Sequence, residues 1–458
     1  MRCPFMDDTE TIVAPGTPVG ESALAALRVS GPLSPALLAG MDGVPAAGLP
    51  PRRATRVHYR TTDGRVIDDL LAIRYAKPAS YTGEDVLELF PHGNPFIVDS
   101  ILKDLLRRGC RMAEPGEFTR RAFLNGKMDL TQAEAVMDLI RARSERAAEA
   151  ARQQLDGRLG GIVNRLIENI LQISAEIEAY IDFPEEDLPP EDVGGPLGRL
   201  QTVIAEIDGL VASEEYRSRL HDGVRIAVLG ATNAGKSSLL NALVADDRAI
   251  VSETPGTTRD FLEVQVRLGP YPAVLVDTAG LRESRDAVES EGIARSLRQA
   301  ERADAILLVR DGALPSPSLH AGLAPILETT PALVLENKAD LPAWHADPAW
   351  WPALPRLRLS TVSGEGLREL RESMVQMLET GVVVPPRDAV LVSARHAAAL
   401  RRARQSLRDA AGKARGEIGI ELMASDLRDA VEAFGEIIGK IDNERMLDRL
   451  FASFCIGK

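Results

Sequence analysis

The sequence predicts a multidomain chain: an α+β N-terminal domain, an all-α helical domain, and an α/β P-loop domain inserted into the helical one. Three observations carry this. Short apolar stretches, densely punctuated by Pro and Gly, fill residues 1–125. From 126 to 217, and again from 386 to 458, apolar residues recur at every third or fourth position. Between them, in 218–385, apolar strand-like runs alternate with helical stretches, and Gly230-Ala231-Thr232-Asn233-Ala234-Gly235-Lys236-Ser237 fits G-x-x-x-x-G-K-[ST]. The expected domains are therefore 1–125, a discontinuous helical domain of 126–217 with 386–458, and the insertion 218–385. Helices on the two sides of the insertion are expected to pack together.

In the first domain, Thr11–Ala14, Ala26–Val29, Arg56–Tyr59, Asp69–Tyr75 and Asp85–Phe90 read as strands. Asn94–Arg108 places Ile97, Ile101, Leu102 and Leu105 on one helical face. Arg28 and Glu88 fall inside strand-like stretches, where such residues are most often a solvated edge or a structural ion pair. In the helical domain, Leu155, Leu159, Val163, Leu166, Ile170, Ile173 and Ile177 mark one long amphipathic helix. It stops near Phe183-Pro184, before an acidic and Pro-rich loop. Leu197, Leu200, Ile204, Ile207 and Val211 mark a second helix leading into the insertion. Val384-Pro385-Pro386 is a linker, and helical spacing resumes over 397–411, 420–438 and 445–454.

Composition narrows the function classes. With 54 Lys+Arg against 67 Asp+Glu the net charge is −13, which argues against a nucleic-acid coat but leaves room for a local basic patch. The three cysteines, Cys3, Cys110 and Cys455, form no metal-like pair, which points to a reducing cytoplasm without a disulfide framework. No uninterrupted apolar run reaches the roughly 18 residues of a membrane span. The polar, acidic first residues do not resemble a signal peptide.

The insertion carries the chemistry. In a P-loop the glycines let backbone N–H groups face phosphate oxygens, the helix N-terminus and Lys236 add positive charge, and the Ser237 hydroxyl can hold Mg²⁺. Three more matches follow in order. Thr257-Thr258-Arg259-Asp260 stands where a first switch senses the γ-phosphate through Mg²⁺, and Asp277-Thr278-Ala279-Gly280 is a D-x-x-G at a strand end. Asn337-Lys338-Ala339-Asp340 is an N-K-x-D, whose Asp can accept the N1 and 2-amino hydrogens of guanine. Adenine lacks that donor pair and would leave Asp340 unpaired, so the site prefers GTP. Leu281 stands where Ras-type GTPases place a water-orienting Gln. Glu283, Asp286, Glu289 and Glu291 follow, and any of the four could take that task. Asn233 can either coordinate a monovalent cation beside the phosphates or bond its own backbone.

With these residues in hand, nearly the whole chain resembles the bacterial MnmE (TrmE) family of tRNA modification GTPases, of the TrmE-Era-EngA-YihA-Septin-like superfamily. The resemblance rests on 26–31, Tyr81-Thr82-Gly83-Glu84-Asp85 through Glu88, His92-Gly93, 115–118, 121–127, the P-loop, 256–260, 277–283 and Phe454-Cys455-Ile456-Gly457-Lys458. It implies GTP contacts at Asn233, Ala234, Gly235, Lys236, Ser237, Ser238, Ser252, Thr257, Thr258, Asp277, Thr278, Ala279, Gly280, Asn337, Lys338, Asp340, Ser360, Thr361 and Val362. It implies Mg²⁺ on Ser237 and Thr258, K⁺ on Asn233, Ser252, Thr254 and Thr257, and Glu289 orienting the attacking water. The N-terminal domain would form a homodimer and bind 5,10-methylene- or 5-formyl-tetrahydrofolate through Arg28, Glu88, Lys127 and Lys458. With the FAD protein MnmG, the chain would add a carboxymethylaminomethyl or aminomethyl group to C5 of the wobble uridine (U34) of certain tRNAs, with Cys455 required.

Three positions depart from the family pattern. Thr232 replaces a Pro before the loop Asn, Asn94 replaces the second Gly after His92, and the fifth GTPase motif reads Ser360-Thr361-Val362 without its Lys. The last departure implies weaker nucleotide affinity. A ribosome-assembly or RNA-binding GTPase switch shares the four motifs. That class usually adds a basic RNA module or a second GTPase domain, and neither is visible here. A membrane-remodelling GTPase would carry a basic amphipathic anchor, which this sequence lacks.

Overall fold

The computed structural model describes residues 10–38, 41–44, 48–142, 144–182, 194–245, 263–277, 287–345, 347, 349–351, 353–381, 389–414, 420–440 and 444–457. Two compact units emerge: Met1–Met137 with Leu155–Asn164 and Phe434–Lys458, and Asp138–Gln154 with Arg165–Ala433. Among the described residues no helix is long and apolar enough to cross a membrane.

The first unit opens with β1 (Ile12–Pro15), β2 (Ser22–Leu24), β3 (Leu27–Ser30), α1 (Ser34–Leu37), β4 (Met41–Asp42), β5 (Thr55–Arg60) and β6 (Val66–Tyr75). β7 (Val86–Phe90), β8 (His92–Gly93), α2 (Pro95–Arg107), β9 (Arg111–Met112), α3 (Glu117–Leu124) and α4 (Leu130–Arg141) follow. Seven strands form one sheet in the order β4-β5-β6-β7-β3-β1-β9, and β2 pairs with β8. The α+β reading of this unit is therefore correct. The four short strands β2, β4, β8 and β9 were not expected from the sequence, because two or three residues carry no period of their own. Their pairing comes from distant partners, as when β9 lies parallel to β1. The unusual His92-Gly93-Asn94 has a local cause. Gly93 lies so close to Ser22 that a Cβ would fall 2.1 Å from the Ser22 hydroxyl. The Asn94 side chain caps α2 by accepting the Phe96 N–H.

A buried ionic cluster ties this sheet to α3. The Glu117 carboxylate, 2% exposed, accepts from both Arg111 NH groups, from Arg121 and from the Glu114 N–H. Burial alone would raise its pKa, but the Arg111 bonds, the Glu114 N–H and Arg121 outweigh it and hold it below 4.5. Because the folded pKa is depressed, the stabilisation is complete above the unfolded value and is lost as pH falls through the folded one. Glu117→Gln, which leaves two arginines under-compensated, is expected to destabilise this unit by about 3 kcal/mol at neutral pH. It should also flatten stability loss below pH ~4.5. Urea unfolding followed by circular dichroism at pH 7 and pH 4 checks both; equal losses at the two pH values would contradict the account.

The helical stretch continues with α5 (Glu145–Leu155), α6 (Arg158–Asp182) and α7 (Gly194–Asp222). The single helix expected from Leu155 starts instead at Arg158. Gly157 adopts φ +84°, a left-handed conformation that ends α5. The inserted segment contributes β10 (Val224–Gly230), α8 (Lys236–Ala245), β11 (Glu263–Leu268), β12 (Tyr271–Asp277), α9 (Ala287–Glu301) and β13 (Ala305–Asp311). It continues with α10 (Ala324–Thr329), β14 (Ala332–Asn337), β15 (Arg356–Arg358) and α11 (Leu367–Gly381). Its six-stranded sheet runs β11-β12-β10-β13-β14-β15, parallel except for β11. Both faces are covered, so β10 and β13 read as continuous apolar runs. The chain ends with α12 (Ala394–Ala414), α13 (Ile420–Ile438) and α14 (Glu444–Ala452).

Helices from before and after the insertion meet, as expected. Asp208 on α7 pairs with Arg404 and Arg408 of α12, and Glu214 pairs with Arg401. The Val392 N–H donates to the buried Ser213 hydroxyl. Within the first unit, α14 places Leu447 and Phe451, with Phe454, against Leu130, Ala133 and Met137.

Candidate GTP and one-carbon sites

The parallel sheet brings the P-loop, Asp277 and Asn337–Asp340 together. β10 lies between β12 and β13, so the crossovers leave it in opposite directions and open a crevice beyond its carboxyl end. The P-loop follows β10, Asp277 ends β12, Asp311 ends β13, Asn337 ends β14, and Ser360 follows β15. The loop geometry demands its glycines. Gly230 sits so close to β13 that a Cβ would lie 2.1 Å from the Val309 carbonyl oxygen. Gly235, at φ +97°, would place one 2.1 Å from Asn337 Nδ2.

Lys236 Nζ donates to the Gly230 and Ala231 carbonyls at 3.1 and 3.0 Å. Burial lowers its pKa, partly opposed by the Asp277 carboxylate. The Ser237 hydroxyl donates to Asp277 Oδ2 at 3.0 Å. Asp277 Oδ1 is buried without a hydrogen-bond partner. A carboxylate oxygen left so, beside a serine hydroxyl at a P-loop, fits a divalent cation and its waters. Asn233 is exposed at φ +64°, a left-handed turn position that asparagine tolerates.

The base end is built from three loops. Asn337, 1% exposed, donates Nδ2 to the Ala234 carbonyl at 3.0 Å and accepts the Thr361 N–H at 3.2 Å. It thereby fixes the P-loop to both recognition loops. The buried Ser360 hydroxyl donates to Asp340 Oδ1 at 2.5 Å while accepting the Val362 and Ser363 N–H groups. Asp340 itself is exposed. Val362 is 84% exposed. Lys338 pairs with Asp311 at 2.6 Å. Asp311 was not singled out from the sequence; the only signal was an acidic residue closing an apolar strand. Ser238 is exposed in the first turn of α8. Ser252, Thr254, Thr257, Thr258, Thr278, Ala279, Gly280, Leu281 and Lys458 lie outside the described residues. Glu289 lies in the first turn of α9.

In the first unit, the β3–β7 register sets Arg28 opposite Glu88. Arg28 Nε donates to Glu88 Oε1 at 3.0 Å, and the Tyr75 hydroxyl lies 3.3 Å from Oε2. The guanidinium sits over the Tyr81 and Phe118 rings, with its carbon 5.1 and 5.8 Å from their centroids. Lys127 Nζ donates to the Pro78 carbonyl at 3.0 Å. Cys455 is exposed, and its carbonyl accepts the Gly116 N–H at 3.3 Å. Gly457 lies against Pro15, where a Cβ would meet the Pro15 oxygen at 2.2 Å. Pro15 adjoins Ala14, the register partner of Arg28. The Cys455 segment and the Arg28–Glu88 pair thus approach the same end of β1.

Comparison with known proteins identifies the family. Residues 11–127 match the family described as GTP-binding protein TrmE N-terminus, and 130–455 match the MnmE helical domain. The chain is 45% identical over 453 residues to the tRNA modification GTPase MnmE of Opitutus terrae, covering 98% of this chain and 99% of that one. It is 43% identical to that of Akkermansia muciniphila, over 99% of this chain and 100% of the relative. For Paramagnetospirillum magneticum the figures are 41%, 98% and 100%. The P-loop, Asp277 and the N-K-x-D motif at the strand ends of one doubly wound sheet, and matches that run nearly end to end, place this chain in the MnmE family of tRNA modification GTPases.

Proposed function

We propose that the chain is the GTP-hydrolysing subunit of a homodimer-based complex with the FAD protein MnmG. The complex would place a carboxymethylaminomethyl or aminomethyl group on C5 of the wobble uridine of certain tRNAs. The observation that supports this most is the exposed Cys455 beside Gly116, in a segment that reaches the end of β1 near Arg28 and Glu88. A cation, a carboxylate and a thiol in that neighbourhood suit a tetrahydrofolate derivative. Glu88, with Arg28 paired beside it, would meet its pterin N–H groups, and Lys127 and Lys458 would meet its glutamate carboxylates. Bound folate would supply a one-carbon unit, and these side chains would hold and orient it.

In the nucleotide site, Lys236 and the P-loop amides would hold the β- and γ-phosphates. Ser237 and Thr258 would hold Mg²⁺, which offsets phosphate charge. Asn233 with Ser252, Thr254 and Thr257 would hold K⁺, and Glu289 would orient the attacking water. The cytoplasm is the expected compartment.

Calorimetric titration of the full chain with 5-formyltetrahydrofolate tests this reading. Arg28→Ala is expected to weaken binding by at least about tenfold, the worth of one charge-assisted contact. GTP turnover should stay unchanged. No folate binding by the wild-type chain, or equal affinity in Arg28→Ala, would remove the one-carbon role.

A further inference from the structure

The guanine-recognition loop has a brace on the side away from the P-loop, and nothing in the four nucleotide motifs accounts for it. The chain has three tryptophans, at 344, 350 and 351, all within a dozen residues after Asp340. Trp344 packs its ring edge against Gly312, where a Cβ would lie 2.2 Å from Trp344 Cζ3 and 2.9 Å from the Asn337 carbonyl oxygen. Gly312 is therefore pressed between that ring and the strand end that carries the loop. Backbone bonds close the layer: the Gly312 N–H donates to the Asn337 carbonyl at 2.8 Å, and the His345 N–H donates to the Gly312 carbonyl at 2.9 Å.

Arg358 covers the ring, its guanidinium carbon 3.8 Å from the Trp344 centroid. Its terminal nitrogen reaches the Ala339 carbonyl, inside the recognition loop, at 3.5 Å. From beneath, the fully buried Arg310 holds the same segment. Arg310 donates to the His345 carbonyl and to the Ser316 hydroxyl, and faces Glu336 at 3.3 Å. Lys338 adopts φ +67°, a left-handed conformation that a lysine keeps only where its surroundings impose it. The fifth motif brings no cation to the base, because Val362 stands exposed where a Lys is usual.

We propose that Trp344 and Arg358 are specificity-determining positioning residues for the guanine nucleotide. They clamp Asn337–Asp340 from outside, so that the Asp340 carboxylate is held where it can accept both guanine N–H donors. Arg358 touches the loop at the Ala339 carbonyl, and Trp344 acts through Gly312, whose N–H is bonded to the Asn337 carbonyl. Loosening the clamp should weaken the 2-amino contact, which an inosine nucleotide does not make.

The test uses full-length Arg358→Ala, Arg358→Lys, Trp344→Ala, Trp344→Phe and Gly312→Ala chains. GDP and inosine diphosphate, which lacks the 2-amino group, displace a fluorescent GDP analogue, and turnover is measured at saturating GTP. Arg358→Ala is expected to weaken GDP about fivefold and Trp344→Ala about tenfold, in line with an exposed cation–π contact plus lost packing. The preference for GDP over inosine diphosphate should shrink, and kcat should stay within about twofold. Arg358→Lys and Trp344→Phe should recover most of the affinity, and Gly312→Ala, which displaces the ring, should copy Trp344→Ala. If Trp344→Ala does not fold, Arg358→Ala and Gly312→Ala decide. Unchanged GDP affinity, equal weakening of both nucleotides, or a loss carried by kcat would overturn the proposal.

Discussion

Replacing Lys236 by alanine is expected to lower kcat/KM for GTP by about a hundred- to a thousandfold. The ammonium is buried, and two of its N–H bonds already hold the Gly230 and Ala231 carbonyls, so its position is set before the nucleotide arrives. Its remaining donor is free for phosphate oxygens, whose charge shifts during transfer. Burial lowers its pKa, so desolvation is a standing cost that the adjacent Asp277 carboxylate partly offsets. The variant should therefore fold normally while losing activity. Phosphate release at limiting GTP, with a thermal melt beside it, checks both. Activity within tenfold of wild type would contradict the assigned role.

The second large effect belongs to Gly235→Ala. The new methyl would lie 2.1 Å from Asn337 Nδ2, and φ +97° is itself strained for alanine. Asn337 would have to leave the Ala234 carbonyl and the Thr361 N–H, the two bonds that connect the P-loop to the base-reading loops. Backbone strain and a broken buried bond together cost on the order of 3 kcal/mol, or about a hundredfold in GDP affinity. Displacement of a fluorescent GDP analogue measures it. A loss under fivefold would mean that the two loops are not coupled through Asn337.

Much of this was legible in the sequence where the signal is local. The P-loop, D-x-x-G and N-K-x-D stand at strand ends because the parallel sheet buries both faces and its strands read as apolar runs. Arg28 and Glu88 were legible as residues. Their pairing was not, because it depends on the register of strands 60 positions apart. The break between α5 and α6 hid beneath a continuous apolar period, although Gly157 was its visible cue. The Trp344–Arg358 stack was not legible, although three tryptophans cluster after Asp340, since a loop ring meeting a strand cation leaves no period.

The most direct test of the central claim is a mass-spectrometric nucleoside profile of tRNA from cells lacking this chain, rescued with wild-type protein or with Cys455→Ser. A C5-modified wobble uridine is expected to disappear without the chain and to return only with the wild type. Restoration by both proteins would leave the modification role and make Cys455 structural. A profile that never changes when the chain is removed would contradict the account.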